Sequence, residues 1–251
     1  AFNLRDLAKV FQGVLMGDTK KLTTPSSVTT LWIHECNRVF ADRLVNDEDR
    51  EWFLNLLKTQ IDEVFGMKYD DLVTGRLMFG DYIVPGADPK SYERVQDFDK
   101  LVKTMEEYLH DYNAATTKKM NLVMFLDAIE HVSRISRIIR SPLGNALLLG
   151  VGGSGRQSLT RLASFIADFQ CFSIEITKGY GKVEWRDDLK KCLKTAGLEN
   201  QPIVFLFTDT QIVKEEFMED INAVLNSGDV PNIYGGDEIE AIGGVMRPIL
   251  Q

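Results

Sequence analysis

Gly150-Val-Gly-Gly-Ser-Gly-Arg-Gln-Ser158 lies between an apolar run, Ala146-Leu-Leu-Leu149, and an amphipathic run, Ser158-Leu-Thr-Arg-Leu-Ala-Ser-Phe-Ile-Ala167. The apolar run reads as a buried strand. In the amphipathic run Leu159, Leu162, Phe165 and Ile166 recur on one helical face. Strand, glycine loop and helix in that order aim backbone N–H groups and a helix dipole at an anion. The glycines match a phosphate-binding loop, G-x-x-x-x-G-K-[ST], but its two chemically active positions differ. Arg156 stands where the lysine belongs, and Gln157 where the Mg²⁺-binding hydroxyl belongs. Arginine keeps the charge but presents a planar fork in place of a compact ammonium, so the exchange is not conservative. The cofactor-binding set read from the loop is Gly150, Val151, Gly152, Gly153, Ser154, Gly155, Arg156, Gln157 and Ser158. Ser154 or Ser158 could replace the missing hydroxyl, each out of register.

Outward from the loop the chain changes character. After it, strands at Cys171–Ile176 and Ile203–Phe207 alternate with helices near 158–168, 183–195 and 215–225. That rhythm predicts an α/β fold with a parallel sheet flanked by helices and ligands at the carboxyl ends of the strands. The run 203–207 has no alternation, as in a strand buried on both faces. Before the loop the chain reads helical. Expected helices cover Leu4–Leu15, one capped by Ser26 or Ser27, and Asp49–Phe65 after an interruption at Asn46-Asp47. Phe79–Pro89 is rich in Gly and Pro and reads as a loop. A helix carries Val95, Phe98, Leu101, Val102, Met105 and Leu109. Another, capped by Thr116 or Thr117, runs to about Arg140 with Leu122, Phe125, Ile129, Val132 and Ile139 inward. The expected boundary lies between Phe65 and Tyr92: a helical piece at 1–65, a connecting loop and helix at 66–118, and the P-loop module at 119–251.

Composition sets limits. The 251 residues are 44% hydrophobic, enough for a full core, and carry a net charge of −8. An acidic chain argues against nucleic acid as a main partner, because phosphate-backbone binding wants a basic face. No apolar run reaches the roughly 18 residues of a membrane span, so no membrane partner is expected. Cys36, Cys171 and Cys192 are far apart, with no CxxC or His/Cys pairing that would suggest zinc, and read as reduced thiols. Both ends are abrupt, as in a piece of something longer.

Hydrolysis needs a second half-site, a strand ending in carboxylates that hold Mg²⁺ and polarise water. Ile203-Val-Phe-Leu-Phe-Thr-Asp-Thr210 is the candidate, and Asp209 is its only carboxylate. If Asp209 takes the metal position, Thr210 replaces the base; if it takes the base position, Thr208 replaces the metal ligand. Either register lacks one carboxylate. The expectation is a site that cradles ADP or ATP, with Asp209 and Ser158 the donors for any Mg²⁺, and with slow or absent turnover. Other features have blander readings beside the functional one. Arg134, Arg137 and Arg140 read as a solvated helix end, though they could reach a phosphate or a neighbouring subunit. His34 reads as a satisfied packing residue. Lys178-Gly-Tyr-Gly-Lys182 either lines the pocket or is an ordinary loop.

These segments together resemble the motor ring of dynein heavy chains. Pro142 to Ala163 is similar to the P-loop of the fourth AAA+ module, in the form familiar from the axonemal branch. Phe205–Ile212 and Glu219–Asn232 resemble the Walker B strand and following helix of that module, and Asn121–Arg137 the helix before its P-loop. Phe2–Gly13 and Trp32–Leu44 are similar to the helical lid of the third module. The resemblance implies an AAA+ large subdomain, incomplete at its C-terminus, preceded by a lid. It implies a nucleotide-binding, ring-bracing role with weak or no hydrolysis. The implied partners are neighbouring AAA+ modules of the same heavy chain, with intermediate and light chains and microtubules reached only through the full-length protein. The implied location is the cytoskeleton of the cytoplasm and the ciliary axoneme. Arg5 would match the third module's sensor-2 arginine, with a structural salt bridge as the other reading. The sensor-1 strand, the fourth lid and the microtubule-binding stalk would follow residue 251. The rivals are a free-standing P-loop NTPase or kinase, and a purely structural module whose loop stays empty.

Overall fold

The structure, a computed structural model, describes residues 2–249. The chain folds as two compact units, 1–144 and 145–251.

The first unit is helical. Helix α1 (Leu4–Leu15) starts on a capping box: Asn3 Oδ1 accepts from the Arg5 and Asp6 N–H groups, and Asp6 accepts from the Asn3 N–H. Helix α2 (Pro25–Val39) is capped by Thr24 rather than by Ser26 or Ser27. Proline at the first helical position sets the start two or three residues early, and Thr24 and Ser27 exchange cap hydrogen bonds. Helix α3 (Asp47–Phe65) begins two residues before the expected Asp49 and is capped by Asn46, with the acidic residues 47–49 in the first turn against the positive end of the dipole. Gly66 ends it in the left-handed region, φ +63°. A short helix α4 (Tyr69–Leu72) follows. The predicted loop 79–89 opens with a two-residue strand β1 (Phe79–Gly80), antiparallel to β2 (Glu93–Arg94).

Helix α5 (Phe98–Ala115) is capped by Asp97. Helix α6 (Leu126–Arg140) begins eight or nine residues later than the threonine caps predict. Thr116 instead ends α5, and Asn113 brackets Met120 through both its amide atoms, which holds the intervening segment out of helix. Ile129 and Val132 are buried as expected, Leu122 and Ile139 half-buried, and Phe125 is 58% exposed. Ile33, Ile61 and Leu72 form one core cluster, and Val10, Cys36, Val39 and Leu57 another.

The second unit is α/β. Helix α7 (Arg156–Ile166) leads to β3 (Gln170–Phe172), α8 (Lys182–Gly197), β4 (Ile203–Phe205), α9 (Glu216–Ser227) and α10 (Gly236–Met246). Strands β3 and β4 pair in parallel, Gln170 with Ile203 and Phe172 with Phe205. The core is built around Trp185, fully buried and stacked on Phe217 with ring centroids 4.4 Å apart. Its indole N–H donates to Asp220 at 2.8 Å, which satisfies the one polar atom the ring buries.

Two strand expectations are corrected. Residues 146–149 are not a strand and are not buried: Leu147 and Leu149 are 84% and 82% exposed. Among the described residues the segment has no ladder partner: β3 and β4 pair only with each other. A short apolar run carries no periodicity to separate a paired strand from an unpaired one. The run 203–207 is likewise half-buried rather than buried on both faces: among the described residues β4 has a strand neighbour on one side only, and Phe205 and Phe207 face Trp185.

Candidate functional site

The glycine loop delivers the chain into α7 as a phosphate cradle requires. Gly153 and Gly155 both have φ +78°, in the left-handed region that glycine enters without a Cβ penalty. Gly155 is the N-cap of α7 and supplies no side chain, so the first-turn N–H groups have no side-chain cap. Residues 150–154 and Gln157 are exposed, and Ser158 is half-buried. The loop closes on itself through the Ser154 N–H, which donates to the Val151 carbonyl at 3.4 Å. The Arg156 guanidinium folds back along it, with Nη1 donating to the Leu148 carbonyl at 3.3 Å and Nη2 to the Val151 carbonyl at 3.1 Å. Uncapped donors, open glycines and a nearby cation fit a phosphate group.

The donor set does not fit a metal held by the protein alone. Asp209 sits in a 3-10 turn (Asp209–Gln211) just past β4, exposed, and its Oδ1 accepts the Thr210 N–H at 3.0 Å. Thr208 and Thr210 share a hydroxyl hydrogen bond of 3.0 Å. No hydrogen bond or ion pair joins Asp209 to Ser158 or to the glycine loop, and no group of three His, Cys, Asp or Glu side chains gathers among the described residues. A hard cation needs several oxygens at once.

One residue that organises this edge escaped the sequence reading. Gln211 is buried, and its Nε2 donates to the Ile174 carbonyl at 2.6 Å and to Ser173 Oγ at 3.1 Å. Its Oε1 accepts the Thr208 N–H at 2.8 Å. One amide thus ties the end of β4 to the segment after β3 and fixes where Asp209 emerges. The signal was present as Thr208-x-x-Gln211, the spacing of a capping box. The loop 178–182 proves to be core-anchored: Tyr180 is buried against Phe217 and donates to Asp188 at 2.6 Å, and Lys182 pairs with Glu216 at 2.7 Å. Burial, then the Asp188 hydrogen bond and charge, raises the Tyr180 hydroxyl above its ordinary range.

The arginine run in the first unit is not a solvated face. Arg137 grips fully buried Glu35 through Nε at 2.8 Å and through Nη2, and the Tyr92 hydroxyl donates to the same carboxylate at 2.8 Å. Arg134 pairs with Glu130 and Asp42, and Arg140 with Asp81. The sequence shows a cation every third residue; the carboxylates that claim them are as many as 102 positions away. His34 packs against Phe79, with ring centroids 5.1 Å apart, but it is not satisfied: its Nδ1 has no partner. Burial first, then the charges of Arg38 and Arg137, holds the ring well below the usual histidine range and so neutral. Arg5 makes no ion pair among the described residues; it is Asp6 that Arg43 holds, at 2.7 Å. All three cysteines are free thiols, and burial raises Cys36 to about 12 and Cys192 to about 11.

A glycine loop opening a helix, a parallel α/β pair behind it and a preceding helical unit define the class: a P-loop module of AAA+ type with a lid. Comparison with known families agrees. The family described as "P-loop containing dynein motor region D4" matches residues 120–251, more than half of the chain, and the chain belongs to that family. An AAA+ lid domain matches residues 1–75. The chain is 55% identical over 251 residues to dynein axonemal heavy chain 1 of Mus musculus and 54% identical to that of Homo sapiens, with all of the chain covered in each case. It is 47% identical to dynein axonemal heavy chain 6 of Homo sapiens, with 98% of the chain covered. It spans about 6% of the length of each of these relatives.

Proposed function

We propose that the chain is a regulatory and bracing nucleotide-binding module of a microtubule-based dynein motor. Its loop binds ADP or ATP, with weak or no hydrolysis, and passes conformational change to neighbouring AAA+ modules of the same heavy chain. The organisation this reading uses is a lid piece at 1–65, a connection at 66–118 and a P-loop large subdomain from 119. The observation that carries it is the uncapped start of α7 behind Gly153 and Gly155, set against a single carboxylate past β4. Residues 150–158 hold the phosphates by backbone N–H groups, with the positive end of α7 behind them. Asp209 and Ser158 are the oxygens left for any Mg²⁺ that the phosphates bring. With Gln157 in the hydroxyl position and no second carboxylate, nothing polarises a water, and turnover is slow. Similarity to axonemal heavy chains supports a place in the ciliary axoneme. Intermediate chains, light chains and microtubules would be met only through the rest of such a heavy chain.

The test is a titration of the 251-residue chain with fluorescent ADP and ATP, each with and without Mg²⁺. Saturable binding that changes little with Mg²⁺, and that Gly155→Glu abolishes, is expected. Strongly Mg²⁺-dependent binding with turnover that Asp209→Ala removes would overturn the weak-hydrolysis part. Absence of binding would leave a structural module.

A further inference from the structure

We infer that Arg156 is a positioning residue: it braces the glycine loop by clamping two of the loop's own carbonyls, a task the usual lysine cannot share with phosphate binding. This rests on the nucleotide-binding reading above for its consequence, but not for the clamp itself.

A guanidinium carries five N–H donors in a rigid plane. Here Nη1 takes the Leu148 carbonyl and Nη2 the Val151 carbonyl, which leaves three donors uncommitted. The side chain runs along Gly150: a Cβ there would lie 3.6 Å from both Arg156 Cδ and Nε, and 3.3 Å from Ser154 Oγ. The two carbonyls flank the start of the loop, one before Gly150 and one after it. Peptide units are planar, so pinning a carbonyl also sets the direction of the next N–H. Clamping Leu148 and Val151 therefore fixes the peptide planes that carry the N–H groups of Leu149 and Gly152. The neighbouring segment gives the loop no strand support, because residues 146–149 are unpaired, with Leu148 half-buried and the rest exposed. In a conventional loop a paired strand holds the entry residue; in this chain that work falls to Arg156. A lysine would meet both carbonyls from a single nitrogen, and two of its three N–H groups would be spent before a phosphate arrived. Restoring the consensus lysine should thus weaken the site.

The comparison is wild type, Arg156→Lys and Arg156→Gln in the 251-residue chain, read two ways. Glycine-selective ¹⁵N spectra without nucleotide report the loop directly. The Gly150, Gly152, Gly153 and Gly155 resonances are expected to be dispersed in the wild type and to collapse towards unstructured positions in both variants, while the remaining glycines keep their positions and so certify the fold. ADP titration reports the consequence. Arg156→Lys is expected to bind about tenfold more weakly, the scale of one lost charge-assisted hydrogen bond. Its dependence on ionic strength should match the wild type, because the charge is kept, and should be shallower in Arg156→Gln. Dispersed loop glycines in Arg156→Lys, or ADP affinity equal to or above wild type, overturn the proposal. If the wild type binds no nucleotide, the functional reading falls, and the glycine spectra still decide the clamp.

Discussion

At the scale of single residues, the first unit turns on Glu35. Its carboxylate is fully buried, and Arg137 and the Tyr92 hydroxyl supply its donors. Gly13 makes the room: a Cβ there would fall 1.8 Å from Glu35 Oε2, so α1 can approach only without a side chain at this point. Burial first and the Glu35 charge second drive the Tyr92 hydroxyl well above its ordinary range, so it remains a donor at every working pH. Removing one partner of a buried pair leaves an uncompensated charge, which costs about 3–5 kcal/mol, whereas replacing both is often nearly neutral. Arg137→Ala should therefore cost about that much in urea denaturation. The double variant Glu35→Gln with Arg137→Met should recover most of it. Equal losses in the single and double variants would mean that the pair is bystander rather than brace.

At the scale of elements, α10 is the least secured. It has no buried residue and is held to α8 through Glu238, which accepts from Lys190 at 2.7 Å, Lys194 at 3.1 Å and the Gly235 N–H at 3.1 Å. The Lys190 hydrogen bond, then the Gly235 N–H and Lys194, lower the Glu238 carboxyl from 4.5 to about 2. A depressed acid contributes stability that is complete above its unfolded value and lost as pH falls through the folded one. The window is thus from about 4.5 down to about 2. Protection factors of the amides of 236–246 should fall across that window faster than those of α8. Glu238→Gln should show the low protection already at neutral pH. Because the clasp is only partly buried, salt should weaken it too. Protection that ignores pH, salt and substitution would show that α10 is held by something else.

Elements were legible in proportion to how local their causes are. Helix α1 was read to the residue, because its Asn3 cap, Asp6 and apolar spacing all lie within fifteen positions. Helix α2 was misplaced at its start because Thr24-Pro25 outranks the serines that follow. Helix α6 was read too long because what stops helix at 117–125 is a side chain in α5, Asn113. Pairing is non-local, so nothing in Ala146–Leu149 could say that it stays unpaired. The glycine loop was legible as a loop, since its φ values demand glycine, but the direction of Arg156 was not. A sequence names the cation, while its carbonyl partners depend on the backbone it meets.

At the scale of the whole molecule, each unit has a core of its own. That of residues 145–251 gathers Ile174, Tyr180, Trp185, Leu189, Phe217, Val230 and Ile233, all from its own stretch of chain. That of residues 1–144 includes clusters on α1 to α4 and on the segments around β1 and β2, with Leu101, Met105, Ile129 and Val132 of α5 and α6 also buried. All-or-none unfolding is expected where one core is shared, and it fails where cores are separate. Calorimetry of the chain should therefore give a measured enthalpy larger than the van't Hoff value, resolving into two components. Trp185→Ala removes a fully buried ring stacked on Phe217 and leaves Asp220 without its indole donor. Large-to-small changes of this kind cost about 3–5 kcal/mol. The loss should lower one component and leave the other in place, while Arg137→Ala should do the reverse. A single component that both substitutions shift would mean that the two cores unfold as one.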